Sequence, residues 1–181
     1  MINASYRMRN LIRDLLAFSQ VNQKQKNIIQ VNLNQIAHEA LQDLELVIKD
    51  KNAQVHISSM PAIRADALLI RQLFENLIGN SIKYARKDID PVVEISHEIG
   101  EDRIIIYFKD NGIGFDEKYL DKMFTLFQRL HTREEYKGTG LGLAICRKIV
   151  ELHDGTITAQ SRPDEGAVFI VNLPLNKTVA V

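Results

Sequence analysis

Five glycines frame one stretch of this 181-residue chain, and they constrain its architecture more than any other feature. Gly112 and Gly114 follow Asp110 at the end of an apolar, strand-like run (104–108). Gly138, Gly140 and Gly142, again at a spacing of two, stand just before a helical pattern over 143–152. Glycine loses the most backbone freedom on ordering, so such a frame needs a physical reason. A backbone without Cβ atoms can approach a phosphate or a base, and a helix beginning there directs free N–H groups at an anion. The alternative is a strand-end turn at Gly112–Gly114 and a plain hinge at Gly138–Gly142, since short glycine patterns recur by chance.

The rest of the chain supplies the setting. The amphipathic pattern of Ala4, Met8, Leu11, Leu15 and Phe18 predicts a helix over 3–24 whose apolar stripe needs a partner. Then come a short strand (28–31), a helix (33–50) and two strand segments (54–58 and 62–64) separated by Pro61. Asp66 suits the N-cap of a helix over 67–86. A hairpin follows (91–99 and 103–110), and its second, almost wholly apolar strand is expected to be central and covered on both faces. Strands at 156–161 and 167–173 flank a turn at 162–166. Helices alternating with mostly antiparallel strands predict an α+β fold, a two-layer sandwich with helices on one face of the sheet.

Composition narrows the function classes. The chain carries 23 basic and 23 acidic side chains, so nothing favours a nucleic acid or an acidic membrane surface as partner. The single cysteine, Cys146, excludes an internal disulfide and reads as a small buried hydrophobe. No apolar run reaches the roughly 20 residues that span a bilayer, and no signal-peptide layout opens the chain. A soluble, cytoplasmic stretch without membrane contact is expected, whatever anchors a longer parent protein.

Asn76, Asn80 and Lys83 fall within about a 60° arc of the 67–86 helix. Asn is a poor residue for a helix interior, so two aligned on one face are anomalous for a merely solvated surface. The 115–137 segment is too long for a structureless connection and reads as a flap with short helices. Within it, Phe124 and Phe127 suggest one anchoring turn or a satellite core cluster, and Lys137 and Arg129 are cations that closure of the flap would bring to a phosphate or that are simply solvated. No two of the five histidines have metal-ligand spacing. His153 stands at a helix end, where a cation suits the dipole.

Together, DNGIGF (110–115), MFTLF (123–127), GTGLGLAI (138–145) and ENLIGNSIKYAR (75–86) resemble the G1, F, G2 and N boxes of the ATP-binding domain of sensor histidine kinases. That family shares its nucleotide fold with DNA gyrase, MutL and the large heat-shock chaperones. The run FQRLH (127–131) and REEY (133–136) look like the phytochrome-type subgroup. RMRNLIRDLLAFSQV (7–21) resembles the second helix of the dimerisation and phosphotransfer domain.

The resemblance implies a Bergerat-type sandwich at 27–176, a bundle helix at 1–26 without the preceding, histidine-bearing helix, and a tail at 177–181. It implies ATP as ligand, with Asp110 reading the adenine amino group and Asn80 ligating Mg²⁺ through its amide oxygen, as suits an ion that keeps waters and phosphate oxygens. Asn76, Lys83, Tyr84, Gly112, Gly114, Phe124, Phe127, Lys137, Gly138, Thr139, Gly140, Leu141, Gly142 and Leu143 complete the implied ATP site. The partners it implies are a response-regulator receiver domain and a second copy, joined through the helix bundle. His38-Glu39 imitates the phosphoacceptor pair but stands in the wrong helix. Asn76 occupies the place where gyrase-type ATPases carry a catalytic glutamate, and an amide cannot take a proton from water. Glu75 is one position out of register. Phosphoryl transfer to a histidine outside this chain is therefore expected over ATP hydrolysis. A hydrolase and a non-enzymatic nucleotide-sensing module are the alternatives.

Overall fold

The computed structural model describes residues 12, 15, 16, 27–128 and 139–175. Ile12, Leu15 and Leu16 are helical and exposed; the remainder of the helix expected at 3–24 lies outside the described residues. The chain then runs through β1 (Ile28–Asn32), α1 (Leu33–Asp43), α2 (Glu45–Asp50), β2 (Gln54–Ile57), β3 (Ala62–Asp66) and α3 (Ala67–Lys83). There follow β4 (Val92–Ile99), β5 (Arg103–Asp110), a 3₁₀ turn (Glu117–Tyr119), α4 (Leu120–Met123), α5 (Gly142–Leu152), β6 (Thr156–Ser161) and β7 (Ala167–Pro174). None of the described helices is long and apolar enough to cross a membrane.

Five strands form one sheet in the order β2-β4-β5-β7-β6, with β2 parallel to β4 and every other pair antiparallel. β1 and β3 make a separate antiparallel pair. β5 is central, as expected, but not covered on both faces. Ile104, Ile106 and Phe108 are buried, whereas Ile105 and Tyr107 are only half-buried. The exposed side keeps its register through cross-strand contacts instead: Tyr107 Oη donates to Glu98 at 3.1 Å, and Lys109 pairs with Glu94 at 3.2 Å. An apolar run therefore signalled a central strand without signalling a second covering layer.

On the buried side lie α1, α3 and α5. Asn32 caps α1 by accepting from the Asn34 and Gln35 N–H groups, and Asp66 caps α3 by accepting from Leu68 and Leu69. Ile70, Leu73, Phe74, Leu77, Ile78 and Ile82 of α3 are fully buried, and Phe74 meets Phe108 of β5 edge-on with ring centroids 5.0 Å apart. Each such side chain contributes roughly 1.5–3 kcal/mol of burial, so this stripe fixes which face α3 turns to the sheet. Arg71 ties α3 to α1, donating to Asp43, to Glu39 at 3.4 Å and to Glu75 at 3.1 Å.

Three local expectations change. The helix expected over 33–50 breaks at Leu44, although Leu44 and Ile48 still reach the core and so preserve the apolar periodicity across the break. The helix from Asp66 ends at Lys83 rather than 86, because the Tyr84 carbonyl accepts the Ile113 N–H at 2.9 Å and leaves the helical ladder. His153 does stand at a helix end, as the C-cap of α5, but not at the surface. Its ring is buried, with Nε2 accepting the Asp66 N–H at 3.0 Å and Nδ1–H donating to the Ile149 carbonyl at 2.7 Å.

Candidate functional site

The end of β5 delivers Asp110. One carboxylate oxygen, Oδ1, accepts both the Gly112 N–H at 2.9 Å and the Ala167 N–H at 3.1 Å. Oδ2 is left for another donor. Burial pushes the Asp110 carboxyl above the usual range, and the Gly112 and Ala167 N–H groups and the Ser81 hydroxyl pull it partly back. Such a displacement marks a candidate functional carboxylate.

The first glycine pair has an identifiable task. A Cβ on Gly112 would stand 2.6 Å from the Tyr84 carbonyl oxygen. Gly114 has φ +60, and its Cβ would fall well under 3.0 Å from the Arg162 carbonyl oxygen. The Asp164 N–H donates to the Ile113 carbonyl at 2.8 Å, closing the junction. The close approach that requires glycine here is to the chain's own backbone, between the end of α3, the loop after β5 and the β6–β7 turn.

The second cluster does something different. α5 begins at Gly142, and a Cβ there would lie 3.3 Å from Asn76 Oδ1 and 3.9 Å from Asn80 Nδ2. The two amides of α3 therefore abut the first residue of α5. Unlike α1 and α3, α5 has no side-chain cap, and its first turn, like theirs, carries no acidic residue. Its leading N–H groups make an anion-ready end beside two amides. Gly140, at φ +77, accepts the Phe127 N–H at 3.2 Å and so closes the base of the flap, while Thr139 Oγ1 accepts from Leu141 N–H at 3.4 Å.

A cavity of about 80 Å³ opens between these elements. Asn80, Tyr84 and Asp110 form its polar side, Phe115, Met123, Leu143 and Phe169 its apolar wall, and Gly114, Gln128 and Ala167 its edges. Lys83 stands next to it with Nζ 4.5 Å above the Tyr84 ring and donating to Tyr84 Oη at 3.0 Å. Phe124 is buried and Phe127 is 55% exposed, and neither lines the cavity; Met123 and Gln128 beside them do. Leu141 is buried beneath the turn into α5. Lys137, Gly138 and Arg129 lie outside the described residues.

Five lining residues escape sequence reasoning: Phe115, Met123, Gln128, Ala167 and Phe169. Phe115 ends the DNGIGF string and could have been found there. Ala167 and Phe169 enter only through strand register, opposite Asp110 and Phe108. As for a metal, no group of three or more His, Cys, Asp or Glu among the described residues could cage one. Asn80 offers a single amide oxygen, a donor set that suits Mg²⁺ carried in with phosphates and water and little else.

The family of histidine kinase-, DNA gyrase B- and HSP90-like ATPases matches residues 65–177. The phytochrome-like protein Cph1 of Synechocystis is 40% identical over 168 residues, which is 93% of this chain and 22% of that protein. Among solved structures, the catalytic domain of histidine kinase ThkA aligns with a TM-score of 0.70 at 28% identity, covering 83% of this chain and 99% of that domain. ThkA in complex with the response regulator TrrA aligns with a TM-score of 0.75 at 25% identity, over 97% of this chain and 49% of that one. The chain thus spans about a fifth of the length of the curated relatives it matches. With the Asn pair, Asp110 and the start of α5 gathered around one cleft, this chain belongs to the histidine kinase-, DNA gyrase B- and HSP90-like ATPase family, among the ATP-binding catalytic domains of sensor histidine kinases.

Proposed function

We propose that the cleft binds Mg²⁺-ATP and that the chain, as the catalytic part of a larger sensor kinase, presents the γ-phosphoryl group to a histidine on a separate bundle helix. The observation that carries this is the contact of Gly142 with Asn76 and Asn80 beside the cavity that Asp110 lines. Asp110 Oδ2 accepts the adenine amino group, and Tyr84 and Phe115 flank the base. Asn80 holds Mg²⁺, which neutralises phosphate charge. The N–H groups at the start of α5, with Thr139, Gly140, Leu141, Gly142 and Leu143, face the phosphates. Lys83 leaves the Tyr84 ring to meet phosphate oxygen, and the flap carrying Phe124, Phe127, Lys137 and Gly138 closes over the triphosphate. The P–O bond to ADP breaks as a P–N bond to imidazole forms, and the imidazole proton passes to a base outside this chain. Work of this kind is positioning and charge neutralisation.

Hydrolysis is disfavoured by the same helix. Asn76 cannot take a proton from water, and the Glu75 carboxylate accepts from Arg71 Nε at 3.1 Å on the α1 side. The likeness to the ThkA–TrrA complex supports a response-regulator receiver as the next acceptor, and a second copy joins through the N-terminal helix. The test is calorimetry with Mg²⁺-ATP, followed by incubation of the chain with labelled ATP, with and without a separately purified histidine-bearing bundle domain. Expected are ATP binding, acid-labile label on the added domain and none on the chain alone. Rapid release of inorganic phosphate by the chain alone would establish a hydrolase, and absence of nucleotide binding a non-enzymatic module.

A further inference from the structure

α3 and α5 pack side by side and run antiparallel, so their opposite ends meet at two places. At one, the start of α5 abuts the Asn pair: a Cβ on Gly142 would lie 3.3 Å from Asn76 Oδ1. At the other, the residue that closes α5 reaches the residue that caps α3. His153 Nε2 accepts the Asp66 N–H at 3.0 Å, and Nδ1–H donates to the Ile149 carbonyl at 2.7 Å. Asp66 also holds the first turn of α3, with Oδ1 accepting from the Leu68 and Leu69 N–H groups, while Oδ2 takes the Asn27 N–H at 3.1 Å. The His153 ring is buried and does not line the cavity beside Asp110.

A buried imidazole with both nitrogens satisfied is unremarkable in itself; what matters is which backbones it joins. The 11 residues of α5 span about 16 Å, and the run from Asp66 to Asn76 and Asn80 spans about 15–21 Å. Those lengths match. A fixed point at the far end of the pair therefore sets the axial position of α5 along α3, and with it the separation between the Asn amides and the leading N–H groups of α5. Burial of Ala144, Ile145, Ile149 and Val150 holds α5 down, but burial is non-directional. A hydrogen bond weakens steeply as its geometry departs from the optimum, so the His153–Asp66 bond supplies the direction that packing lacks.

We propose that His153 is a positioning residue for the phosphate end of the cleft: its ring pins α5 to the cap of α3 and so keeps Gly142 in register with Asn76 and Asn80. This rests on the ATP-site assignment above, and the experiment separates the two. Mg²⁺-ADP is titrated calorimetrically into wild type, His153→Leu, His153→Gln, Gly142→Ala and the double variant H153L/G142A, each below its melting range. H153L weakens binding about tenfold, and H153Q, whose amide oxygen accepts where Nε2 did, stays within about threefold of wild type. On the G142A background H153L adds less than about twofold, because the contact it maintains is already spoiled; sites about 16 Å apart without shared partners would otherwise add. In wild type, reciprocity requires that saturating Mg²⁺-ADP slow hydrogen exchange of the Asp66 amide more than that of the β6 amides, a measurement that needs no variant to fold. H153L affinity within about twofold of wild type, with only the melting temperature lowered, overturns the role of His153 and leaves it structural. So does failure of H153Q to rescue, multiplication of the losses in the double variant, or uniform slowing of exchange. A wild-type protein that does not bind Mg²⁺-ADP overturns the site assignment itself.

Discussion

Gly114→Ala separates two accounts of why the loop after β5 is glycine-rich. At φ +60 a side chain costs about 1–2 kcal/mol. The added Cβ would also land on the Arg162 carbonyl, which is main chain and cannot swing aside as a rotamer would. Relief requires the loop to back away from the β6–β7 turn. That movement strains the Asp164-to-Ile113 and Ile113-to-Tyr84 bonds, now 2.8 and 2.9 Å, at about 1 kcal/mol each if lost. The sum is about 3–4 kcal/mol, which for a chain of this size lowers the melting temperature by about 10 °C. Thermal and urea melts by circular dichroism measure it, with saturating Mg²⁺-ADP as a second condition. The structural account expects a large loss without nucleotide, partly restored by ligand through mass action. A variant that melts within about 2 °C of wild type but no longer binds ADP would refute it and return Gly114 to the role of phosphate contact.

Asp110→Asn is expected to abolish ADP binding, because an amide directs a donor at the adenine amino group. Its stability effect has the opposite sign. The raised carboxyl means that the folded state holds the proton more tightly than the unfolded one, so the ionised group costs stability above the raised value and that cost vanishes as pH falls through it. D110N should therefore melt higher than wild type near neutral pH, with the gap closing in acid. Gly142→Ala adds a Cβ 3.3 Å from Asn76 Oδ1 at a position where alanine is the better helix former by up to about 1 kcal/mol. Calorimetry should show at least about a tenfold loss of Mg²⁺-ADP affinity with an unchanged or higher melting temperature. Arg71→Met removes the guanidinium that holds Asp43 below the usual carboxylate range, a stabilisation present above that range and lost as pH falls through the lowered value. R71M should melt lower than wild type at neutral pH, with the deficit shrinking in acid; a pH-independent deficit would mean that lost packing dominates.

Much of this was legible in the residues because the signals were local. Asp66 as a cap, the hairpin around Gly100 and the Asn pair on one helical face all depend on spacings within a few residues, and each stands where the spacing puts it. What was not legible is set by pairings between distant segments. Ala167 and Phe169 reach the cleft only because β7 pairs with β5 in one register, and no pattern near 167 announces it. The flap is a similar case: Phe124 and Phe127 are the conspicuous side chains, but Met123 and Gln128 beside them line the cavity, and Phe127 takes a positive φ where its N–H meets the Gly140 carbonyl. The glycines were recognised as necessary, yet Gly112 and Gly114 answer to the backbone of Tyr84 and Arg162, which sequence could not place beside them.

The orientation of α3 also bears on the proposal that the cleft holds ATP for transfer rather than for hydrolysis. Glu75 is the sole acid on the helix, one residue and about 100° from Asn76. To act on a water at the phosphates it would have to leave Arg71 and turn toward α5. Leu73, Phe74, Leu77 and Ile78, all fully buried against the sheet and neighbouring helices, forbid that rotation. Burial and the nearby Asp43 carboxylate raise the Glu75 carboxyl, which by itself would suit a general base, but Arg71 opposes the shift and occupies the oxygen. The stripe that turns Asn76 and Asn80 toward Gly142 is therefore the same stripe that turns Glu75 away. With no carboxylate on α3 turned toward the start of α5, the helix offers no general base there, which is what the proposed transfer to an outside histidine, rather than hydrolysis, requires.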